Sequence, residues 1–153
     1  NLQNLNSLVF ADFQFNSFTG TIPVGFGRMS ALVSLELNNN NFTEKIPQDL
    51  GGGVLEILSL HDNGLTGTIP TSLTQLSSIV ELKLQKNSLT GMIPSELLSL
   101  EHLRTLRVDA NDFEGSLNAM CENLFFDASS IQIFADCAGV DPKVECDCCS
   151  NCL

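Results

Sequence analysis

The first 120 residues contain no cysteine, and nowhere does the chain approach the roughly 18 to 20 consecutive apolar residues that cross a bilayer. No basic-then-apolar leader opens it. The segment is therefore expected to be soluble, with no membrane insertion of its own, while an anchor upstream of residue 1 stays open. Basic residues are scarce as well. Seven Lys and Arg stand against eighteen Asp and Glu, and the resulting net charge of −11 repels phosphate backbones and argues against nucleic acid as a partner. There is no Gly-rich phosphate loop and no HExxH. Of the two histidines, His61 is placed near Asp62 and Glu56, and His102 in a connecting turn. Neither has a serine or cysteine nucleophile at a recognisable motif spacing, so no enzyme, no cofactor and no metal is expected.

What is present is a repeat. The chain has 153 residues, 43% of them hydrophobic, enough for one continuous core. The segment from Leu32 to Pro47 returns from Leu55 to Pro70 and again from Ile79 to Pro94, and a looser copy runs from Leu8 to Pro23. Asn16, Asn40, Asn63, Asn87 and Asn111 recur at intervals of 24, 23, 24 and 24 residues. In Leu35-Glu-Leu37, Leu58-Ser-Leu60 and Leu82-Lys-Leu84 the alternation has period two, which puts the leucines on one side of a strand and the residues between them on the other. Stacked units then lay these strands side by side in a parallel sheet. At the turn, each asparagine amide can bond backbone groups of adjacent coils and form a ladder.

The unit L-x-x-L-x-L-x-x-N-x-L-T-G-x-I-P-x-x-L-x-x-L resembles the leucine-rich repeat in its 24-residue, plant-type form, over nearly all of residues 5 to 124. The resemblance implies an α/β repeat solenoid. It is a right-handed coil with a parallel β-sheet on the concave face, short strands and 3-10 turns on the convex side, and a disulfide-capped C-terminus. Residues 1–120 would hold about five repeats and residues 121–153 a cysteine-rich cap. Two departures stand out: Glu44 takes the place of Gly20, Gly67, Gly91 and Gly115, and Gly51-Gly52-Gly53 falls in the repeat that is one residue short. A locally irregular convex side is expected near residues 44 to 54.

A solenoid exposes its core at both ends unless capped. Asn1 leads almost directly into a repeat, with Leu2 and Leu5 in ladder-like positions, so no N-terminal cap is expected and further repeats, a leader or an anchor upstream remain open. The other end differs. Cys121, Cys137, Cys146, Cys148, Cys149 and Cys152 all fall in the last 33 residues, and Ser130 to Cys137 reads as one last degenerate strand. Three disulfides would tie the tail over the core, each contributing about 2 to 4 kcal/mol. Fifteen pairings are open, with a Cys148–Cys149 bond disfavoured because adjacent cysteines strain it. The rival is a zinc site in C-x-C-C-x-x-C, set back by the lack of a nearby histidine. The tail also resembles the C-terminal caps of secreted or surface leucine-rich repeat proteins of diatoms and related algae.

In such solenoids the concave sheet is the working surface. Its central column would run Asp12, Glu36, Ser59, Lys83, Arg107 and Phe134. Lys86 and Arg104 join Lys83 and Arg107, gathering four of the seven basic residues on two consecutive repeats, with Glu81 and Asp109 in the same patch. With His61 and Glu36, these are the expected partner-binding residues, and the concentration of cations suggests an acidic protein surface, a peptide or an anionic glycan. Phe10 and Phe15, beside Val9 and Val33, form an apolar alternative. Asn41-Phe42-Thr43 is the one N-x-S/T sequon and could carry a glycan if the chain is secreted. Similar repeats occur in receptor ectodomains and in inhibitors of cell-wall-degrading enzymes. The resemblance therefore implies a receptor-like, non-enzymatic protein-binding module, extracellular or on the cell surface, with a structural subunit of a larger extracellular or membrane-associated assembly as the second reading.

Overall fold

The computed structural model describes residues 5–118, 131–138 and 143–153. Two parallel sheets run along a coil that repeats every 23 or 24 residues. The larger has the strand order β1-β3-β5-β7-β9-β12-β14, built from Phe10–Asp12, Ser34–Glu36, Ile57–Ser59, Glu81–Lys83, Thr105–Arg107, Gln132–Ala135 and Asn151–Cys152. The smaller has the order β10-β8-β6-β4-β2, from Asp112–Phe113, Ser88–Gly91, Gly64–Gly67, Asn41–Lys45 and Thr19–Thr21. A two-stranded pair, β11 (Gly115–Ser116) with β13 (Val144–Glu145), closes the far end of the second side.

The central strands of the large sheet each carry one inward leucine between two outward residues, with Ala11 in that place on β1 and Ile133 on β12. Leu35, Leu58, Leu82 and Leu106 sit in register on β3, β5, β7 and β9, and all are fully buried. Each contributes about 1.5 to 3 kcal/mol through burial alone. The third side of the coil is a stack of 3-10 turns, Phe26–Arg28, Gln48–Gly51, Thr71–Gln75 and Ser95–Ser99. Pro47, Pro70 and Pro94 open the last three, where the first N–H of a turn would lack a partner in any case. Leu73, Leu76 and Leu97 face inward from these turns and are buried, with Leu100 packed at the edge.

Asparagines stitch the coils together where the chain leaves the large sheet. The Asn63 amide nitrogen donates to the carbonyls of Leu37 and Leu60, both at 3.1 Å, while its Oδ1 accepts from the Phe42 N–H at 3.0 Å. Asn40, Asn87 and Asn111 make the same kind of bonds one coil earlier or later. Asn16 is exposed, and among the described residues its side chain bonds only the nearby carbonyls of Phe13 and Gln14. The residue just before each of these asparagines turns the chain with a left-handed backbone: Phe15, Asn39, Asp62, Lys86 and Ala110 have φ between 52 and 56°.

Near residue 44 the convex side is more regular than its composition suggests. β4 runs unbroken through Glu44, which adopts φ 67° and so takes the left-handed conformation that Gly20, Gly67 and Gly91 take in the neighbouring coils. The ladder bonds on either side hold it there against its own preference. Gly51 belongs to a 3-10 turn and has its own reason: a Cβ there would lie 2.0 Å from the Ser72 carbonyl oxygen, and one at Gly27 only 1.4 Å from that of Asp49. Turns of successive coils thus meet backbone to backbone.

The large sheet continues into the tail. β12 pairs with β9 and β14 with β12, and Cys137 is bonded to Cys152, which fastens the last strand to the sheet edge. Closing that 15-residue separation contributes about 3 kcal/mol through the unfolded chain. Cys146 is bonded to Cys149, Cys148 is also in a disulfide, and no described cysteine is free. The sulfurs that a zinc site would use are therefore taken up in disulfides. Cys121 lies outside the described residues. Asp136 continues the asparagine line by accepting from the N–H groups of Ala110 and Asn111, and Lys143 pairs with Asp112 at 2.7 Å.

Candidate functional site

Three columns line the inner face. Register places Asp12, Glu36, Ser59, Lys83, Arg107 and Phe134 side by side on successive strands. Beside them run Phe10, Ser34, Ile57, Glu81, Thr105 and Gln132. The third column lies where the strands end and consists of Gln14, Asn38, His61, Gln85 and Asp109, each two residues before a ladder asparagine.

Lys83 and Arg107 do share one face of adjacent strands, but the cations do not form an open basic surface. Lys83 Nζ lies 2.5 Å from Glu81 Oε2, and Lys86 Nζ lies 3.3 Å from Asp62 Oδ1. Arg107 reaches Asp109 with two bonds and also covers the Phe134 ring, its guanidinium carbon 4.8 Å from the centroid. Arg104 donates to the carbonyls of Glu101 and Leu103. Period two explains the pairing, since Glu81 with Lys83 and Arg107 with Asp109 stand two apart on the same face. Three of the four positive charges are thus matched by neighbouring carboxylates. Glu36 is half-buried next to Ser34, whose hydroxyl donates to it at 3.5 Å.

The third column holds His61 and Asp109 of the expected surface together with Asn38 and Gln85, which the sequence reading did not single out. Asn38 Oδ1, His61 Nδ1 and Gln85 Oε1 are buried and, among the described residues, have no hydrogen-bond partner, on three consecutive coils. Asn38 and Gln85 are only 3% and 5% exposed. Burial pushes the His61 imidazole below its usual 6.5; the Asp62 carboxylate pulls the other way, and the charges on Lys83, Arg107 and Lys86 each add a weaker push downward. The ring is therefore neutral at pH 7. The signal was available: aligning the position two residues before each ladder asparagine gives Gln, Asn, His, Gln and Asp, every one able to hydrogen-bond.

Elsewhere, Phe10 and Phe15 are 70% and 73% exposed, with Val9 beside them. Phe13, Phe18, Phe26 and Phe42 form an aromatic cluster below them, bordering a groove of about 350 Å³. His102 sits in its connecting turn, with Nδ1 3.1 Å from the Ser77 carbonyl oxygen. Asn41 is exposed at the start of β4. Among the described residues there is no group of three or more His, Cys, Asp or Glu side chains placed to hold a metal ion, and no helix long and apolar enough to cross a membrane.

Two family models, both described as leucine rich repeat, match residues 54–113 and 31–52, together more than half of the chain. Among solved structures, the chain is similar to the plant peptide hormone receptor RGFR1 in complex with RGF2, at 35% identity and a TM-score of 0.76, covering 83% of this chain and 20% of that one. It is also similar to the Arabidopsis receptor kinase HAESA in complex with the peptide hormone IDA and the co-receptor SERK1, at 26% identity and a TM-score of 0.72, covering 92% of this chain and 22% of that one. The BIR3–SERK2 complex from Arabidopsis thaliana matches at 27% identity and a TM-score of 0.72, covering 93% of this chain and 75% of that one. The chain thus spans about a fifth of the length of the first two receptor chains. None of the three bears on the resemblance of the cysteine-rich tail to algal caps. No curated protein matches the chain.

Proposed function

Because the chain belongs to the leucine-rich repeat proteins, we propose that it is a non-enzymatic recognition module that binds a protein or peptide through its concave sheet, outside the cell or at its surface. The observation that carries this reading is the row of unpaired, buried polar atoms on Asn38, His61 and Gln85. A buried polar atom without a partner costs about 1 to 3 kcal/mol. Rotation of these side chains toward the concave face would bring the unpaired atoms within reach of a ligand's hydrogen-bond donors, such as those of a peptide backbone, and recover that cost on binding. Lys83, Lys86, Arg104 and Arg107 then flank the ligand as paired or self-bonded cations, with Glu36 at the other end. A net-neutral chain segment suits this face better than an anionic glycan does. The disulfide-bonded tail suits an oxidising, secreted setting.

A second reading, a structural subunit, is favoured by a different observation: two phenylalanines, Phe10 and Phe15, that stand almost fully in water. It places the contact at the N-terminal coil and leaves the row untouched.

Panning the disulfide-intact chain against a random dodecapeptide library separates the two. The expected result is a family of enriched peptides whose affinity falls about tenfold or more in Gln85→Met. Removing an unpaired buried atom leaves the fold as stable or more so. Failure to enrich any peptide, or enriched peptides that lose affinity only in Phe10→Ser and Phe15→Ser, overturns the concave reading.

A further inference from the structure

The inner face does not account for a cleft on the flank of the coil, between the large sheet and the small one. It is a shallow, open depression of about 440 Å³, lined by Asn40, Asn41, Thr43, Asp62, Asn63, Gly64 and Lys86. Asn41 and Thr43 are the acceptor and hydroxyl positions of the sequon, and both are exposed. The Asn41 backbone N–H is tied to the Phe18 carbonyl at 2.8 Å, but among the described residues its side-chain amide has no partner. The cleft exists because of one residue. Gly64 follows its ladder asparagine where Ser17, Ser88 and Asp112 follow theirs, so the side chain that would fill the space is missing in this coil alone. The Lys86–Asp62 pair forms the far rim.

We propose that Asn41 is an N-glycosylation site and that this cleft seats the first sugar of its glycan. In the transfer, Asn41 Nδ2 attacks the anomeric carbon of a lipid-diphosphate-linked oligosaccharide. The C–N bond forms, the C–O bond to the diphosphate breaks, the lipid diphosphate leaves with that electron pair, and one amide proton passes to a base of the transferase. No oxidation or reduction is involved. The tail disulfides meet the one condition this requires, passage through an oxidising secretory compartment. Once attached, an N-acetylhexosamine lies over Gly64. Its acetamide and hydroxyls face the Asp62 carboxylate and the Lys86 ammonium, groups that match a neutral polyhydroxylated ligand in both donors and acceptors. A seated sugar is shielded from solvent and held against the coil, which distinguishes it from a glycan that merely projects from the surface.

The test uses the chain secreted from a eukaryotic host, followed by peptide mass mapping and by release with a peptide N-glycosidase. The expected result is a glycan mass on Asn41, lost in Thr43→Ala, with release from the folded chain at least about tenfold slower than from the reduced, unfolded chain. Gly64→Ser keeps the sequon and fills the seat; serine occupies that place in two other coils, and here its Cβ meets the Phe42 carbonyl oxygen at 3.3 Å, which a shift of a few tenths of an ångström accommodates. Release from folded Gly64→Ser is expected to approach the unfolded rate, and Lys86→Ala to move it in the same direction. An unmodified Asn41 in the secreted chain overturns the proposal, and a release rate that neither folding nor Gly64→Ser alters overturns the seated sugar. The readout does not involve a concave ligand, so its failure leaves the recognition reading standing.

Discussion

Arg107 and Asp109 stand two residues apart on the same strand edge and are joined by two hydrogen bonds, Nε to Oδ1 at 3.0 Å and Nη2 to Oδ2 at 2.9 Å. Asp109 is 3% exposed, so its charge is kept in the fold by that one guanidinium. Arg107→Met leaves the carboxylate buried and unpaired, and is expected to destabilise the chain by about 1 to 3 kcal/mol. Replacing both residues by apolar ones is expected to recover most of the loss. Urea midpoints of the two single variants and the double variant check this as a cycle.

Glu44 holds a backbone conformation that three neighbouring coils assign to glycine. Glu44→Gly is therefore expected to stabilise the chain by about 1 kcal/mol, the cost of the left-handed region less the extra freedom glycine gives the unfolded state. A higher thermal midpoint would support this, and an unchanged or lower one would show that the carboxylate contributes more than its backbone strain.

The ladder asparagines are unequal. Asn111 is buried and bonded across two coils, to Leu84 and Val108 and from Leu89. Asn111→Ala is expected to cost about 2 to 4 kcal/mol, by summing bonds at roughly 1 kcal/mol each and leaving backbone carbonyls unpaired. Asn16, exposed and with side-chain bonds only to Phe13 and Gln14 of its own coil among the described residues, is expected to cost about 0.5 kcal/mol on the same change. Equal losses in denaturant titrations would refute the ladder as a coil-to-coil device.

His61 gives the fold a pH dependence of known sign. Burial lowers its pKa in the folded chain, so below 6.5 the unfolded chain binds the proton first. The stability from neutral His61 is complete above 6.5 and is lost as the pH falls from there until the folded ring also takes up its proton. His61→Gln is expected to flatten this part of the stability curve, with no change above pH 7. A titration of the imidazole by NMR that finds a value at or above 6.5 would sink the idea.

The repeat, its strands and its asparagines were legible because each follows from a spacing: period two for Leu35 and Leu37, period 23 or 24 for Asn40 and Asn63. The face of Lys83 and Arg107 was legible for the same reason. Glu81 and Asp109, which neutralise them, obey the same period-two rule. Which cysteines pair was hidden, because Cys137 and Cys152 meet only once β12 and β14 lie side by side. The polar column of Asn38, His61 and Gln85 was legible from the ladder spacing, but that three of its atoms go unpaired was hidden, since satisfaction of a polar atom depends on angles that no spacing encodes.

Gly27 and Asp49 touch through their backbones, as do Gly51 and Ser72, with no room for a side chain between them. At the same place in the later coils stand Thr74 and Leu98. The coils are therefore not interchangeable parts. A later coil could be duplicated or swapped with little disturbance, but one inserted after the first or second would bring a side chain into a seam built for bare backbone. Lengthening of such a chain by recombination is open on one side of residue 72 and barred on the other.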